Sequence, residues 1–587
     1  MTVIRIRNLR VDATATGLPI VKDVNFEIAA GEVLGLVGES GSGKTTISLS
    51  LLGFSKPGTA IQTESRIFVD GTDLMTMSPR ARNEVRGKLI TYVPQDPSAS
   101  LNPAIKIGEQ LVEGLMRGRD ALSPHVAKAR MAELMSEVGL AATPEFLSRY
   151  PAQLSGGQLQ RVAIAMAVAP RPRLVIMDEP TTGLDVSTQA DVLAMMTRLC
   201  QAHGIATLYV SHDLAVVAHI ADKVMVLYAG RIVEAGSKGD VFARPAHPYT
   251  RSLLDAVPSM REARKLRAID GMAPPLRDRE HGCVFRARCP HATAVCAVAP
   301  PLSSKSAANH EVACHWADEI DGQAKTAPLF VVNRILENDK VLEVLSLSAR
   351  YGDRTVLRDV SMTLSRGECL AVVGESGSGK TTFSRCMIGL HSDWKGEIVL
   401  EGRRLSQSAA HRSPDDRRKL QYVFQNPYGS LNPRKTIGGN LAVPIGHFQT
   451  SDDQNRDRQI KAALERVELR SAHIDRFPNE LSGGEKQRVA IARALLASPD
   501  VMICDEITSA LDVSVQAAIV ELLRSLMSDG LSLVFVTHNL GVVRSLADSV
   551  AVLDKGEIVE IGSSESVLSR PSAAYTKSLL ANTLELA

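Results

Sequence analysis

Val37-Gly-Glu-Ser-Gly-Ser-Gly-Lys-Thr-Thr46 occurs twice in this chain, returning unchanged as Val373-Gly-Glu-Ser-Gly-Ser-Gly-Lys-Thr-Thr382. Both copies fit G-x-x-x-x-G-K-[ST], the phosphate-binding loop. The residue types follow from the ligand. Gly38, Gly41 and Gly43, like Gly374, Gly377 and Gly379, let the backbone wrap around phosphate oxygens. With Ser40, Ser42, Ser376 and Ser378 they aim N–H groups at those oxygens. Lys44 and Lys380 bring a point charge to the β- and γ-phosphates. Thr45 and Thr381 offer a hydroxyl to Mg²⁺, and Thr46 and Thr382 complete the motif. Each loop follows an apolar run, Glu32-Val-Leu-Gly-Leu-Val37 or Glu368-Cys-Leu-Ala-Val-Val373, and enters a helix-compatible stretch. The pattern predicts strand, loop and helix, twice.

The repeat extends outward from these loops. Tyr92-Val-Pro-Gln95-Asp-Pro-Ser-Ala-Ser-Leu-Asn-Pro103 matches Tyr422-Val-Phe-Gln425-Asn-Pro-Tyr-Gly-Ser-Leu-Asn-Pro433. Leu154-Ser-Gly-Gly-Gln158 matches Leu481-Ser-Gly-Gly-Glu485, and Leu174-Val-Ile-Met-Asp-Glu179 matches Val501-Met-Ile-Cys-Asp-Glu506. Val210-Ser-His212 matches Val536-Thr-His538. Order and spacing are kept, so the chain reads as two tandem copies of one α/β domain. Short apolar strands alternate with helical segments, which implies a largely parallel sheet flanked by helices. Between the duplicated glutamine and Leu-Ser-Gly-Gly the sequence is helix-rich (Ile107–Met116, Val126–Val138, Gln459–Val467), as expected of an inserted helical subdomain. The expected division is 1–257 for the first copy, 258–320 for a Pro-, Arg- and Cys-rich extension, 321–340 for a linker and 341–587 for the second copy.

Bulk composition agrees. A chain of 587 residues exceeds one core. Lys+Arg 67 against Asp+Glu 65 argues against a broad basic surface for nucleic acid. No apolar run is long enough to cross a bilayer, and the N-terminus has no signal-peptide pattern. Of eight cysteines, four crowd between Cys283 and Cys314, and the other four are scattered in expected core elements. Scattered thiols fit a reducing, cytosolic setting.

Together the motifs resemble the nucleotide-binding subunits of ABC transporters. The resemblance covers both copies and implies two composite ATP sites. In each, the phosphate loop of one copy faces the Leu-Ser-Gly-Gly motif of the other. It implies that Ser155, Gly156, Gly157 and Gln158, with Ser482, Gly483, Gly484 and Glu485, complete the sites across the interface. It implies Mg²⁺ held by Thr45, Gln95 and Asp178 and by Thr381, Gln425 and Asp505. Glu179 and Glu506 become general bases, and His212 and His538 contact the γ-phosphate. Asp185 and Asp512 belong to a loop that communicates between copies. The chemistry suits these roles, since phosphoryl transfer needs positioning and charge neutralisation more than covalent help. A Gly-rich helix N-terminus is also an anion site.

Two departures imply unequal sites. The family's adenine-stacking aromatic is matched by Tyr351 in the second copy, whereas Ala13 stands there in the first. Ile507 follows Glu506 where Pro180 follows Glu179. Ser-Leu-Asn-Pro after each glutamine, and the tail His247-Pro-Tyr-Thr-Arg-Ser-Leu-Leu254, resemble the oligopeptide/dipeptide (nickel/glutathione) importer branch. Pro571-Ser-Ala-Ala-Tyr575-Thr-Lys-Ser-Leu-Leu580 echoes that tail. The branch implies ATP-driven import, with this chain peripheral on the cytoplasmic face of the inner (cell) membrane, bound to two membrane-spanning permease subunits, with an external solute-binding protein and no nucleic acid. The competing reading is a soluble twin ATPase acting on ribosomes or nucleic acid. The short, non-basic linker and the tails favour the importer.

Cys283, Cys289, Cys296 and Cys314 could surround one soft metal centre, although no C-x-x-C pair gives zinc-ribbon spacing. The segment resembles one that binds a [4Fe–4S] cluster in some peptide-importer ATPases. Zn²⁺, or an unoccupied or disulfide-linked set, are the alternatives, and His310 and His315 are possible substitute ligands.

Overall fold

A computed structural model describes residues 2–117, 122–279, 281–304, 310–320, 339–448, 453–509 and 511–586. The expected linker lies outside the described residues apart from Asp339 and Lys340, and so does Ala510.

Each copy is built on a parallel sheet of the same order. In the first, strands run Ile90–Val93, Leu174–Asp178, Ala206–Ser211, Val33–Val37, Lys223–Tyr228, then antiparallel Arg231–Ser237. In the second they run Leu420–Val423, Val501–Asp505, Ser532–Val536, Cys369–Val373, Ser549–Asp554, then antiparallel Glu557–Ser563. The central strands are buried at every position, which is why they read as unbroken apolar runs rather than alternations. Antiparallel strands lie beside each core: Thr2–Ala13 with Pro19–Ala29, and Lys340–Tyr351 with Arg354–Ser365.

The helical insert contains Ile107–Arg117, Pro124–Glu137 and Gly156–Val168 in the first copy. In the second it contains Ile437–Phe448, Asp453–Arg466 and Gly483–Leu495. The sequence did not single out Ile437–Phe448, because Gly438, Gly439 and the internal Pro444 look like breakers. Burial of Leu441, Pro444 and Ile445 against the neighbouring helices overrides that local cost.

The two sheets end differently. Glu311–Val312 pairs with Arg231–Ser237, and Ser303–Ser304 adds beyond it, so the cysteine segment covers the first sheet's outer edge. In the second sheet Glu557–Ser563 is the edge, with Val559 39% and Ile561 49% exposed. The halves also exchange tails. Helix Pro248–Ala256 packs on Val513–Ser528 of the second half, and the Leu266 N–H donates to Glu521 at 3.0 Å. In return Asn582 donates to Ser187 at 3.0 Å, and Arg261 pairs with Glu585.

Candidate active sites and the cysteine segment

The phosphate loops are held by close backbone approach. A Cβ on Gly38 would lie 2.1 Å from the Leu227 carbonyl oxygen, and one on Gly374 2.2 Å from that of Leu553, so only glycine fits. Lys44 Nζ donates to the carbonyls of Gly38 (2.6 Å) and Glu39 (3.0 Å), and Lys380 repeats this with Gly374 and Glu375 (2.8 Å each). Burial lowers both ammonium pKa values against the pull of nearby carboxylates. The buried hydroxyls of Ser42 and Ser378 find no hydrogen-bond partner among the described residues, nor does Asp505 Oδ1. Unsatisfied buried oxygens beside a loop of N–H groups suit a bound polyanion and its cation.

At the strand ends the two copies agree closely. Asp178 and Asp505 are buried, which raises their carboxyl pKa, and accept from Tyr92 (2.9 Å) and Tyr422 (2.6 Å). They also accept from Thr45 and Thr381. Glu179 and Glu506 carry φ of 52° and 48°, in the left-handed region that glutamate rarely adopts. Each is fixed there by its N–H on the adjacent strand, Val210 or Val536, at 2.9 Å. The turn aims the carboxylate at its partners. Gln95 donates to Glu179 at 2.9 Å and Gln425 to Glu506 at 2.7 Å. His212 lies 3.0 Å from Glu179, and His538 3.6 Å from Glu506. Burial would raise both glutamate pKa values, yet the histidine and lysine partners hold them below the usual carboxylate range. His212 moves the opposite way: burial would lower it, and Glu179 raises it.

Ser155 and Ser482 begin their helices with reciprocal capping boxes, closed by Gln158 and Glu485. Those two side chains are therefore engaged in their own helix ends. The loop that carries Asp512 reaches the phosphate loop of the other copy. The Ser40 N–H donates to Asp512 Oδ2 at 3.0 Å, and Ser514 Oγ donates to Glu39 at 2.6 Å. Lys44 feels the charge of Asp512, and Lys380 that of Asp185. Tyr351 ends its strand with 48% exposure and stacks on His391, centroids 4.3 Å apart. Ala13 ends the matching strand.

Sequence reasoning missed three groups. Tyr92 and Tyr422 sit inside the quoted motifs, where nothing in the spacing distinguishes them from core aromatics. Tyr249 and Tyr575 accept from the N–H of Glu39 and Glu375, each at 2.9 Å, and their duplicated place in the tails was the available signal. Arg288 pairs with Glu39, a contact with no signal in local sequence.

All eight cysteines stand as free thiols in the structure. Cys283, Cys289, Cys296 and Cys314 line one cavity beneath Phe285 and Trp316. Burial raises the thiol pKa of Cys283 and Cys314, and pushes Cys289 up to about 11. Among the described residues, however, no group of three or more His, Cys, Asp or Glu is arranged to hold a metal ion as it stands. His310 is paired with buried Glu234 at 2.8 Å and His315 with the Val298 carbonyl, each through Nε2.

A family profile described as "ABC transporter" matches residues 21–182 and 357–509, and one described as "Oligopeptide/dipeptide transporter, C-terminal region" matches 233–296. The glutathione import ATP-binding protein GsiA of Shigella dysenteriae is 36% identical, covering 96% of this chain and 86% of the relative. The oligopeptide transport ATP-binding protein OppD of Mycobacterium bovis is 35% identical, covering 98% and 97%. A solved dimeric bacterial ABC transporter cassette is 29% identical over 38% of this chain and 98% of its own, at TM-score 0.35. With its motifs duplicated in order and its length matched by these relatives, the chain belongs to the ABC transporter family, as a tandem ATP-binding protein of the oligopeptide/dipeptide branch.

Proposed function

We propose that this chain is the ATP-hydrolysing, energy-coupling subunit of an importer for peptides or related small solutes such as glutathione. It would work on the cytoplasmic face against two membrane-spanning permease subunits, with an external binding protein delivering solute. Among the described residues no helix is long and apolar enough to cross a membrane, so spanning segments would come from the partners. We place the working units at 1–257, 258–320 and 341–587.

The observation that carries the chemistry is the pair Glu179 and Glu506. Each sits in a strained turn one residue beyond a buried aspartate, bonded to its own glutamine and histidine. A carboxylate held below its usual pKa is ionised at neutral pH and accepts a proton from an attacking water. His212 and His538 hold that carboxylate and would contact the γ-phosphate. Thr45 with Asp178, and Thr381 with Asp505, supply the oxygen donors Mg²⁺ takes, and Gln95 and Gln425 stand beside them. When bound, Mg²⁺ neutralises phosphate charge. Ser482-Gly-Gly484 would complete the Lys44 site, and Ser155-Gly-Gly157 the Lys380 site. The test is uptake of labelled peptide or glutathione into proteoliposomes holding this chain with its co-encoded permeases. ATP-dependent accumulation is expected; ATPase activity that co-purifies with ribosomes and never drives uptake would overturn the reading.

We further propose that the four thiols of the cysteine cavity hold a [4Fe–4S] cluster, with Zn²⁺ the alternative. Their place around one cavity supports this. The raised thiol pKa values mean that loading releases protons and is favoured by higher pH. Iron, sulfide and zinc analysis after anaerobic purification decides between the metals. Stoichiometric zinc without sulfide would replace the cluster.

A further inference from the structure

The carboxylate of Glu39, inside the first phosphate loop, is gripped from two directions. Arg288 donates to it in a fork, at 2.6 and 3.0 Å, with the guanidinium side chain 5% exposed. Ser514 of the second half donates its one hydroxyl hydrogen to the same carboxylate at 2.6 Å, with Asp512 3.2 Å from the same oxygen. Asp512 in turn caps its helix through the Val515 N–H and accepts from the Ser40 N–H. Arg288 is itself fixed by the carbonyls of Ile269 and Asp270 and by the Tyr228 hydroxyl. It immediately precedes Cys289 in the chain.

The second phosphate loop has no such grip among the described residues. Glu375 meets Tyr575 through its N–H, as Glu39 meets Tyr249. Ser187, the counterpart of Ser514, accepts from Asn582 of the C-terminal tail instead. A buried bidentate Arg–carboxylate pair is directional and strong, and removing one partner leaves the other charge buried alone.

We propose that Arg288 is a positioning residue for the Lys44 site alone. It holds Glu39 in line with Ser514, so the phosphate loop and the Asp512 loop of the opposite half meet in register. The cysteine segment thereby governs closure of one ATP site and not the other. This rests on the reading that Lys44, Asp512 and Ser482 build one shared site.

The test uses the full-length chain and ATP-dependent thiol crosslinks, identified as peptides by mass spectrometry. One pair, Ser42→Cys with Ser482→Cys, reports the Lys44 site. The other, Ser378→Cys with Ser155→Cys, reports the Lys380 site. Arg288→Met should lower the first yield about tenfold, the order of a typical coupling between sites, and leave the second unchanged. Arg288→Lys should fall between, and Glu39→Gln should remove most of the additional effect of Arg288→Met. Equal loss in both pairs, or no loss in the first, overturns the proposal. If Arg288→Met fails to fold, the Arg288→Lys and Glu39→Gln variants are judged by the same rule. Absence of any ATP-dependent crosslink in the parent overturns the shared-site reading, and the proposal with it.

Discussion

The two halves carry the same chemistry on the same strands and differ almost entirely in the chain added after each core. Aspartate, strained glutamate, glutamine, histidine and lysine superpose in kind and in partner. After the first core the chain adds two edge strands and the cysteine cavity, and sends Arg288 into the phosphate loop. After the second it adds a short helix, Ala574–Ala581, that returns to the first half through Asn582 and Glu585. The duplicated side chains thus stay alike at the strand ends of the sheet, while divergence accumulates where added chain touches the shared boundary.

The sharpest way to break that equivalence is at the glutamates. Glu179→Gln with Glu506→Gln should keep ATP binding and lose about 10²–10⁴ in hydrolysis, the range for a positioned base. Steady-state ATPase rates of the two single variants then show whether the sites contribute equally. Near-parental activity in the double variant would remove the glutamates from the mechanism.

A smaller effect is expected where the halves already differ. Tyr351→Ala should weaken nucleotide at the second site by about 1–3 kcal/mol, roughly five- to 150-fold in Kd, using the scale of base–aromatic stacking. Ala13→Tyr should tighten the first. Fluorescent-nucleotide titrations of each variant check both, and equal wild-type affinities unmoved by either change would erase the contrast.

The smallest effect concerns pH. Glu179's depressed carboxyl contributes stability above its unfolded pKa of about 4.3 that is lost as pH falls through the folded value. His212's raised pKa contributes stability below about 6.5 that is lost as pH rises through its folded value. The pair's contribution is therefore full between those limits and fades on the alkaline side. His212→Gln should lower Tm more near pH 6 than near pH 9. Equal losses of Tm at the two pH values would show that the Glu179–His212 pairing has no energetic consequence.

Much of this was legible in the sequence, because strands buried on both faces write themselves as apolar runs and phosphate chemistry demands glycine, lysine and threonine at fixed spacing. The strain at Glu179 was not legible: nothing in Asp-Glu-Pro announces a left-handed residue, since the partner strand imposes it. Nor was Ile437–Phe448, whose glycines and proline speak against the helix that packing enforces. Arg288 and Glu39 lie 249 positions apart, and only the folded chain brings them together. The cysteines were visible as a cluster, but their enclosure by Phe285 and Trp316 came from the fold.

The open edge at Glu557–Ser563 has a consequence for the birth of the protein. The first sheet's edge is covered by chain made directly after it, before the second half is complete. In the second sheet the border strand shows Val559 and Ile561, and no later strand among the described residues covers them. Such borders invite pairing between neighbouring nascent chains. Glu557, exposed at the start of the same strand and 3.7 Å from Arg358, puts a charged group on that border, a device that opposes such pairing. Replacing Glu557 with valine should leave a finished molecule able to hydrolyse ATP, yet shift freshly made protein from the soluble to the pelleted fraction.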